Sequence, residues 1–455
     1  MKSLIGALAI MSLTAGTSHA AVSPQEAAAL GKTLTPWGAT VAGNAAGTIP
    51  AYTGGLPPST QPEGFKSDSG FWANPYASDK PLFIIDNKNV AQYADQLSDG
   101  TQELIKRFPG SYTVTVYPSR RSARYPDWIN ENSIANASRC KTIDDGLAVE
   151  GCFGGVPFPT PKTGHEVVWN AQLHYRGASL LLTGQGWYVD AKGSKVLTNG
   201  TSAASDSQYY NKALDVDKFA SLGLYQTFLN IYTAPARNVG EGNLIRYYVN
   251  PNKNPNATWN YSPGQRRVRR APDAEYDFPV STSGGAMLYD EIYMFSGKQD
   301  RYDMKYLGVK EMIIPYNNYD WAQTTPANLL ADKHPNPTVM RWELHRVHVV
   351  ELTLKPGMRH VQPKRRLYYD EDILAAGMSD GWDASGKLAK SIFLPSYQMY
   401  DKQIPFASPF WIYDFATGVY YHSSISAGAK GVKVFDELKP LTFFTPESLA
   451  RQSQR

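Results

Sequence analysis

Short segments in which apolar and polar residues alternate follow one another through most of this 455-residue chain, and this pattern limits the fold more than any other feature. Turns rich in Gly, Pro, Asn and Asp separate the segments, and no long helical pattern comes between them. This order favours an antiparallel meander over a parallel sheet with helical crossovers. The segments predicted as strands are 112–117, 166–169, 173–176, 187–190, 222–232, 244–249, 258–261, 291–295, 304–314, 342–354, 366–369, 388–394, 410–415 and 418–422.

A sheet of about thirteen strands must either close on itself or have its inner face covered. Val90, Tyr93 and Leu97 recur at helical spacing, and a second helical pattern follows at 104–108. We predict that this helical pair covers the sheet. The predicted fold class is therefore mainly β with a few α-helices: a large, curved, antiparallel sheet, or open half-barrel, covered by helices.

The N-terminus has the three parts of a secretory signal peptide: a basic residue, Lys2, an apolar stretch at 4–13, and small residues that end at Ala20. The apolar stretch is ten residues long, whereas a membrane-spanning helix needs about 20. We therefore expect residues 1–20 to be cleaved after Ala20 and the protein to reach the periplasm.

Residues 21–81 are rich in Gly, Pro, Ser, Thr and Asn and can bury little of themselves. They also carry aromatic residues, including Trp37 and Trp72, which would be left in water if the segment packed on nothing else. We predict a loop-rich N-terminal arm that lies over one domain, residues 82–455, which contains the helical lid and the half-barrel.

The chain has two cysteines, Cys140 and Cys152. An even pair in an oxidising compartment predicts a disulfide. A metal site would need more ligands nearby, and the Cys-x-x-Cys spacing of a redox site is absent.

The charge balance argues against nucleic acid as a partner. Lys and Arg total 45 and Asp and Glu total 41, which gives a formal net charge of +4, whereas nucleic-acid-binding domains concentrate a larger basic excess on one face. The basic run at 266–270 is followed by Asp273, Glu275 and Asp277. We predict a solvated, ion-paired strand there.

Catalytic motifs of the common hydrolases are missing. The sequence has no Gly-x-Ser-x-Gly, no His-Glu-x-x-His and no phosphate-binding glycine loop. Carboxylate pairs that cleave glycosides come together only in the fold, so the sequence leaves them open. We predict no enzyme activity, no cofactor and no metal site.

The segment 341–354 is the most informative predicted strand, because its two faces differ. The even-numbered face is the more apolar, so Arg346 and His348 project among hydrophobic groups. They must either pair with buried partners or meet the polar end of a ligand. His345 and His348 lie on opposite faces and cannot share a metal ion.

Several stretches resemble one known family: 30–39, 42–44, 47–55, 74–76, 79–82, 116–118, 261–269, 345–347, 359–360 and 366–372. They are similar to DUF1329, a bacterial exported family of unknown function that is described as similar to outer-membrane lipoprotein-sorting proteins. The stretches 261–269 and 366–386 also resemble the Lol-type periplasmic carriers. In those carriers, an open antiparallel half-barrel is closed by helices over an apolar cavity.

The resemblance implies a lipophilic cargo, and it suggests an RND-type transporter and an outer-membrane β-barrel protein as candidate partners. It defines no catalytic residues. We predict a periplasmic binding protein or carrier for a lipid or a lipoprotein-like cargo. The alternatives are an exported hydrolase acting on a hydrophobic or glycan substrate, and a structural adaptor that carries nothing.

We expect the cargo to lie against the even face of 341–354 and against aromatic residues of other strands. Arg346 and His348 would then contact the head group. The predicted ligand-binding residues are Trp342, Leu344, Arg346, His348, Tyr248, Trp259, Tyr261, Tyr293 and Tyr369.

Overall fold

Strands dominate the part of the chain that the computed structural model describes, residues 22–272 and 274–454. The predicted signal peptide, residues 1–20, lies outside the described residues. The strands are β1 Phe83–Ile85, β2 Val114–Tyr117, β3 Lys141–Ile143, β4 Ala148–Glu150, β5 Ser179–Val189, β6 Lys195–Ser207, β7 Leu224–Ala234, β8 Gly242–Tyr248, β9 Ala257–Ser262, β10 Arg267–Arg270, β11 Tyr302–Pro315, β12 Trp342–Leu354, β13 Lys364–Asp370, β14 Gly377–Trp382, β15 Leu388–Leu394, β16 Ser396–Met399, β17 Ile404–Ala407, β18 Trp411–Asp414, β19 Val419–Ile425 and β20 Val432–Phe435.

The helices are short. The predicted helical pair is confirmed as a 3₁₀-helix at Val90–Gln96 followed by α2, whose first turn is capped by the Ser98 side chain. No helix among the described residues has the length and apolar character needed to cross a membrane. The α-helices are α1 Pro24–Ala29, α2 Asp99–Arg107, α3 Asp127–Arg139, α4 Gly164–Gln172, α5 Val216–Leu222, α6 Tyr319–Gln323, α7 Pro326–Leu329 and α8 Pro446–Ser453.

Sixteen of the strands in the described residues form one sheet, in the order β1-β2-β12-β13-β14-β15-β18-β19-β5-β6-β7-β8-β9-β10. β11 is added beside β12 and β20 beside β5, while β3–β4 and β16–β17 form separate hairpins. Neighbouring strands are antiparallel except β2 and β12, so the sheet is mixed rather than purely antiparallel. Within the described chain no pairing joins β10 to the far end, and the predicted open, mainly β fold is confirmed.

Three of the predicted strands are not strands. Residues 166–169 lie inside α4, while 173–176 and 291–295 have no strand structure. This segment forms a helix rather than a strand because Thr163 and Glu166 form a reciprocal capping box at its start. Each side chain accepts a hydrogen bond from the other residue's backbone N–H. Its alternating apolar residues would suit either structure.

The predicted disulfide between Cys140 and Cys152 is present. Cys140 directly follows α3, and Cys152 follows the β3–β4 hairpin, so the bond ties this hairpin to the end of the helix. The sequence analysis did not predict α3, whose short polar residues interrupt the apolar pattern.

Residues 22–81 pack closely on the rest of the structure. The Trp37 ring lies 4.8 Å from that of Tyr125, and the indole N–H of Trp72 donates to Asp401 at 2.6 Å. Arg121 donates to the Thr40 carbonyl at 2.6 Å. These contacts are those expected of an ordered arm, whereas the division of the chain at residue 81 stays a prediction.

The outer face of β7–β9 is covered by the C-terminal segment. Phe444, just before α8, and Leu449, within α8, are fully buried. They pack against Leu229, Leu244 and Tyr261. Because side chains alternate along a strand, the residues between these point to the other, inner face of the sheet.

Candidate ligand-binding cavity

A cavity lies on the inner face of β5–β8. Successive odd positions of β6 line it, and even positions of β7 and odd positions of β8 continue the same surface, as the two-residue period of a strand requires. These residues form the cavity floor. They are Leu180 and Leu182 of β5, Asn199, Thr201, Ala203, Ser205 and Ser207 of β6, Gln226, Phe228, Asn230 and Tyr232 of β7, and Asn243, Ile245 and Tyr247 of β8.

The floor is hollow because the side chains in its centre are small. Ala203 of β6 pairs across the strands with Asn230, and Ser205 pairs with Phe228. An alanine and a serine leave space that larger side chains would fill. The empty space amounts to about 1680 Å³, part of which is open to solvent.

The floor is long as well as hollow. Gln226 and Tyr232 of β7 both line the cavity and are six residues apart. At about 3.3 Å per residue, the floor between them is roughly 20 Å long.

Residues 280–296, which form turns rather than strands, cover the cavity, and we call this segment the roof. Val280, Met287, Ile292 and Phe295 belong to it and line the cavity. Shorter contributions come from 171–177, 406–410 and 421–424. The cavity is therefore enclosed by parts of the chain that are far apart in sequence.

Buried ion pairs hold the roof on the sheet. Asp290 accepts from Arg365 at 3.0 Å and lies 2.9 Å from Nε2 of His360. Glu291 pairs with Lys390 at 3.1 Å. Burial acts to raise the pKa of Asp290, but Arg365 and His360 outweigh it and keep that pKa below its ordinary value.

The roof also contains two consecutive residues in the left-handed region of the backbone, Tyr293 with φ 53° and Met294 with φ 72°. Residues other than Gly rarely adopt this backbone conformation, and it often marks functional sites. It places the Tyr293 ring at the cavity, 4.0 Å from the guanidinium carbon of Arg176.

Most of the lining is aromatic or aliphatic. The rings of Tyr225 and Tyr247 stack at 5.8 Å at one end of the floor. The aromatic lining residues are Tyr210, Tyr225, Phe228, Tyr232, Tyr247, Tyr289, Tyr293, Phe295, Phe406, Phe410 and Tyr421.

One charged side chain, Arg176, stands among the described lining residues. The other basic residue in the lining, His174, is neutral, because burial and the nearby Arg176 charge lower its pKa to about 3. Its Nε2 lies 2.8 Å from the Pro405 carbonyl and therefore carries the proton that it donates there. The lining described here contains no Asp, Glu or Lys.

Two amide oxygens in the floor, Oδ1 of Asn230 and Oδ1 of Asn243, are buried and have no hydrogen-bond partner among the described residues. The two residues face each other across β7 and β8. They lie towards the Tyr232 end of the floor, away from Tyr225 and Tyr247. These oxygens can therefore accept hydrogen bonds from a polar part of a ligand.

Of the nine predicted ligand-binding residues, Tyr293 lines the cavity. Trp342 lies instead in the packed core, fully buried with its ring 6.1 Å from that of Phe393. Leu344 and Tyr369 belong to the same core.

The two predicted head-group residues have partners within the protein. Arg346 donates to Glu371 at 3.3 Å and to the Ala42 carbonyl at 3.1 Å. His348 lies 2.7 Å from the hydroxyl of Tyr306, and burial lowers its pKa to about 4. Both are satisfied core groups, which was the alternative that the sequence left open.

Tyr248, Trp259 and Tyr261 lie on the outer face of the sheet. Tyr261 packs in the cluster with Leu449 of α8 and accepts a hydrogen bond from Gln454 at 3.3 Å. The structure thus brings one of the nine residues to the cavity and places eight elsewhere. Ligand binding by those eight stays a prediction.

The sequence analysis missed the floor of β6 and Arg176. The alternation of small and polar residues at 199–207 could have indicated a strand with an unfilled inner face. Among the described residues no group of three or more His, Cys, Asp or Glu side chains is placed to hold a metal ion.

Comparisons with known proteins connect this fold to one family. The family model "Protein of unknown function (DUF1329)" matches residues 84–450. An uncharacterized protein of Pseudomonas aeruginosa is 38% identical over 462 residues, which cover 99% of this chain and 98% of the relative.

Three solved structures are similar at lower identity. A DUF1329 family protein from Desulfovibrio piger is 13% identical with a TM-score of 0.43, and covers 63% of this chain and 97% of its own. A domain from Vibrio parahaemolyticus, named for outer membrane lipoprotein sorting, is 16% identical with a TM-score of 0.40, and the match covers 63% of this chain and 97% of that domain. A LolA superfamily protein from Nitrosomonas europaea is 12% identical with a TM-score of 0.35, and the match covers 63% of this chain and 100% of that protein.

The family model extends over most of the chain, and the Pseudomonas aeruginosa relative matches nearly all of it. The chain therefore belongs to the DUF1329 family.

Proposed function

We propose that this protein is a periplasmic binding protein or carrier that holds a lipophilic ligand in the cavity over β5–β8. The observation that carries the proposal is an unfilled space lined mainly by aromatic and aliphatic side chains, with small residues at its centre. Protein interiors are normally close-packed, so an apolar hollow gains stability when an apolar molecule fills it.

The dimensions suit a single acyl chain. The hydrocarbon core of a bilayer is about 30 Å thick, so the chains of one leaflet span about 15 Å. The floor of roughly 20 Å accommodates such a chain with room for a polar end. Burying ten methylenes contributes about 8 kcal/mol before the costs of association.

Export supports the same proposal. The N-terminal sequence has the pattern of a cleaved signal peptide, and a disulfide joins Cys140 and Cys152. An RND-type transporter and an outer-membrane β-barrel protein are candidate partners on the family resemblance alone. Co-purification from solubilised envelopes with the tagged, full-length protein tests this part separately.

A glycan hydrolase in this cavity is disfavoured. Such enzymes use two carboxylates that flank the bond they cleave. Within the described lining there is no Asp or Glu.

The proposal is tested with N-phenyl-1-naphthylamine, an uncharged fluorescent probe of apolar cavities. Ala203→Phe places a ring in the centre of the floor and should weaken probe binding at least tenfold. Ser202→Phe is the matched control, because Ser202 is the next residue on β6 and points to the opposite face.

Thermal melts must show that both variants are folded. Saturable binding to the wild type that Ala203→Phe removes and Ser202→Phe keeps is the expected result. Absence of probe binding to the wild type, or equal binding by the two variants, would contradict the proposal.

A further inference from the structure

Arg176 is a charged group that has no charged partner in the part of the chain that the structure describes. Within the described residues its guanidinium forms no ion pair and no hydrogen bond, and its Nε is buried. It lines the cavity and is half-buried there. A positive charge held in an apolar, partly desolvated place is unfavourable unless a negative group compensates it.

The geometry leaves the donors of Arg176 available. The Tyr293 ring covers one face of the guanidinium, with 4.0 Å between the guanidinium carbon and the ring centroid. A guanidinium carries five N–H donors around its edge, in the plane of the group. Contact with the ring therefore leaves the terminal N–H donors of the guanidinium able to bind a planar or tetrahedral anion.

The positive charge of Arg176 acts on the end of the floor that Tyr225 and Tyr247 line. Burial raises the pKa of both tyrosines, and Arg176 opposes that rise. These rings stack at the end of the floor where β7 begins. The centre of the floor, at Ala203 and Phe228, is free of charge.

We propose that Arg176 binds the anionic head group, a carboxylate or a phosphate, of an amphiphile whose acyl chain lies along the floor. Arginine binds both groups through paired N–H donors. This inference rests on the proposed function and adds the chemical class of the ligand. Neither a neutral lipid nor a cationic one would compensate the charge.

Competition against N-phenyl-1-naphthylamine tests the inference on the mature protein. The competitors are dodecanoate, dodecyl phosphate and the neutral dodecanol, each below the concentration at which it forms micelles. On the wild type, at least one anion should compete about ten times better than dodecanol, since hydrogen bonds to charged groups are worth about 1.5–3 kcal/mol. A preference for dodecanoate indicates a fatty-acid head group, and a preference for dodecyl phosphate indicates a phospholipid-like one.

Two variants locate the effect. Arg176→Gln should abolish the preference, so that the anion competes about tenfold less well relative to dodecanol than it does on the wild type. Arg246→Gln is the control, because Arg246 stacks on Trp259 at 5.5 Å on the outer face of the same sheet. It should change none of the four affinities.

The outcomes separate the two proposals. If the wild type binds neither the probe nor any competitor, the proposed function is overturned and the head-group site with it. If the probe binds but the anions compete no better than dodecanol on the wild type, the head-group site alone is overturned. The same holds if folded Arg176→Gln keeps the affinity for the anion.

Discussion

Two halves of one sheet are built from similar alternating strands, yet one is filled and the other is hollow. In the packed half, β11–β15, Trp342 and Leu352 of β12 are fully buried. In the hollow half, β5–β8, the inner face of β6 carries Ala203 and Ser205. The size of the side chains along one face of the sheet, rather than the path of the backbone, therefore decides where a cavity forms in this fold.

The largest expected effect is in the packed half. Trp342→Ala removes a fully buried ring and leaves a cavity, which should lower the free energy of unfolding by about 3–5 kcal/mol. Urea denaturation measures it. Trp259→Ala, at a partly exposed position of β9 beside the hollow half, is the control and should cost less. A loss below about 1 kcal/mol for Trp342→Ala would break the distinction between the halves.

The second prediction concerns the pH dependence of unfolding that His174, in the cavity lining, contributes. His174 has a pKa of about 3 in the folded protein, whereas an unfolded His titrates near 6.5. On acidification, His174 is therefore protonated in the unfolded chain before it is protonated in the folded protein. Its contribution to the free energy of unfolding is complete above about pH 6.5 and is lost as the pH falls. Between about pH 6.5 and 5 this removes about 2 kcal/mol.

His174→Gln should show a shallower loss of stability over this interval, because Gln does not titrate and can still donate to the Pro405 carbonyl. Urea denaturation at a series of pH values measures the difference between the two proteins. Parallel curves for wild type and variant would show that His174 titrates normally.

The third prediction has the opposite sign and lies in the packed half. Burial raises the pKa of Asp370 to about 7, whereas an unfolded Asp titrates near 3.9. The folded chain therefore binds the extra proton, and the contribution of Asp370 is complete below about pH 3.9 and is lost as the pH rises through 7.

Asp370→Asn should remove this gain on acidification. We expect about 2 kcal/mol between pH 7 and 5, because the folded protein binds this proton over the interval whereas the unfolded chain does not. The measurement is again denaturation across pH. A variant curve that falls less steeply than the wild type on acidification would contradict the sign.

The smallest expected effect returns to the cavity. Phe228 is half-buried and faces empty space on one side, so Phe228→Ala should cost about 1 kcal/mol, well below Trp342→Ala. Calorimetric melts compare the two variants. Equal losses would mean that the floor is packed as tightly as the core.

The sequence predicted the kind of fold better than its details. The helical pair before β2, the disulfide and most long strands follow from local patterns. β6 was missed because Gly200, Ser202 and Ser205 weaken its apolar alternation, and 166–169 was misread because only the Thr163 cap distinguishes a helix there. Local patterns are informative where propensity and burial agree.

The cavity was harder to predict than the fold. Alternation shows that Tyr247 and Tyr248 point to opposite faces, but not which face α8 will cover. That choice depends on contacts such as Leu449 with Tyr261, nearly two hundred residues apart. Arg176 has no local signature. Its lack of an ion-pair partner among the residues that the structure describes becomes visible only in the three-dimensional arrangement.

If the hollow half holds a lipophilic molecule, mass spectrometry of organic extracts of the purified protein will detect it. The protein is purified from the envelope without detergent, as wild type and as Ala203→Phe. We expect one class of lipophilic molecule, in stoichiometric amount, from the wild type and little from the variant. No extractable lipophile from the wild type, or equal amounts from both proteins, would contradict this expectation.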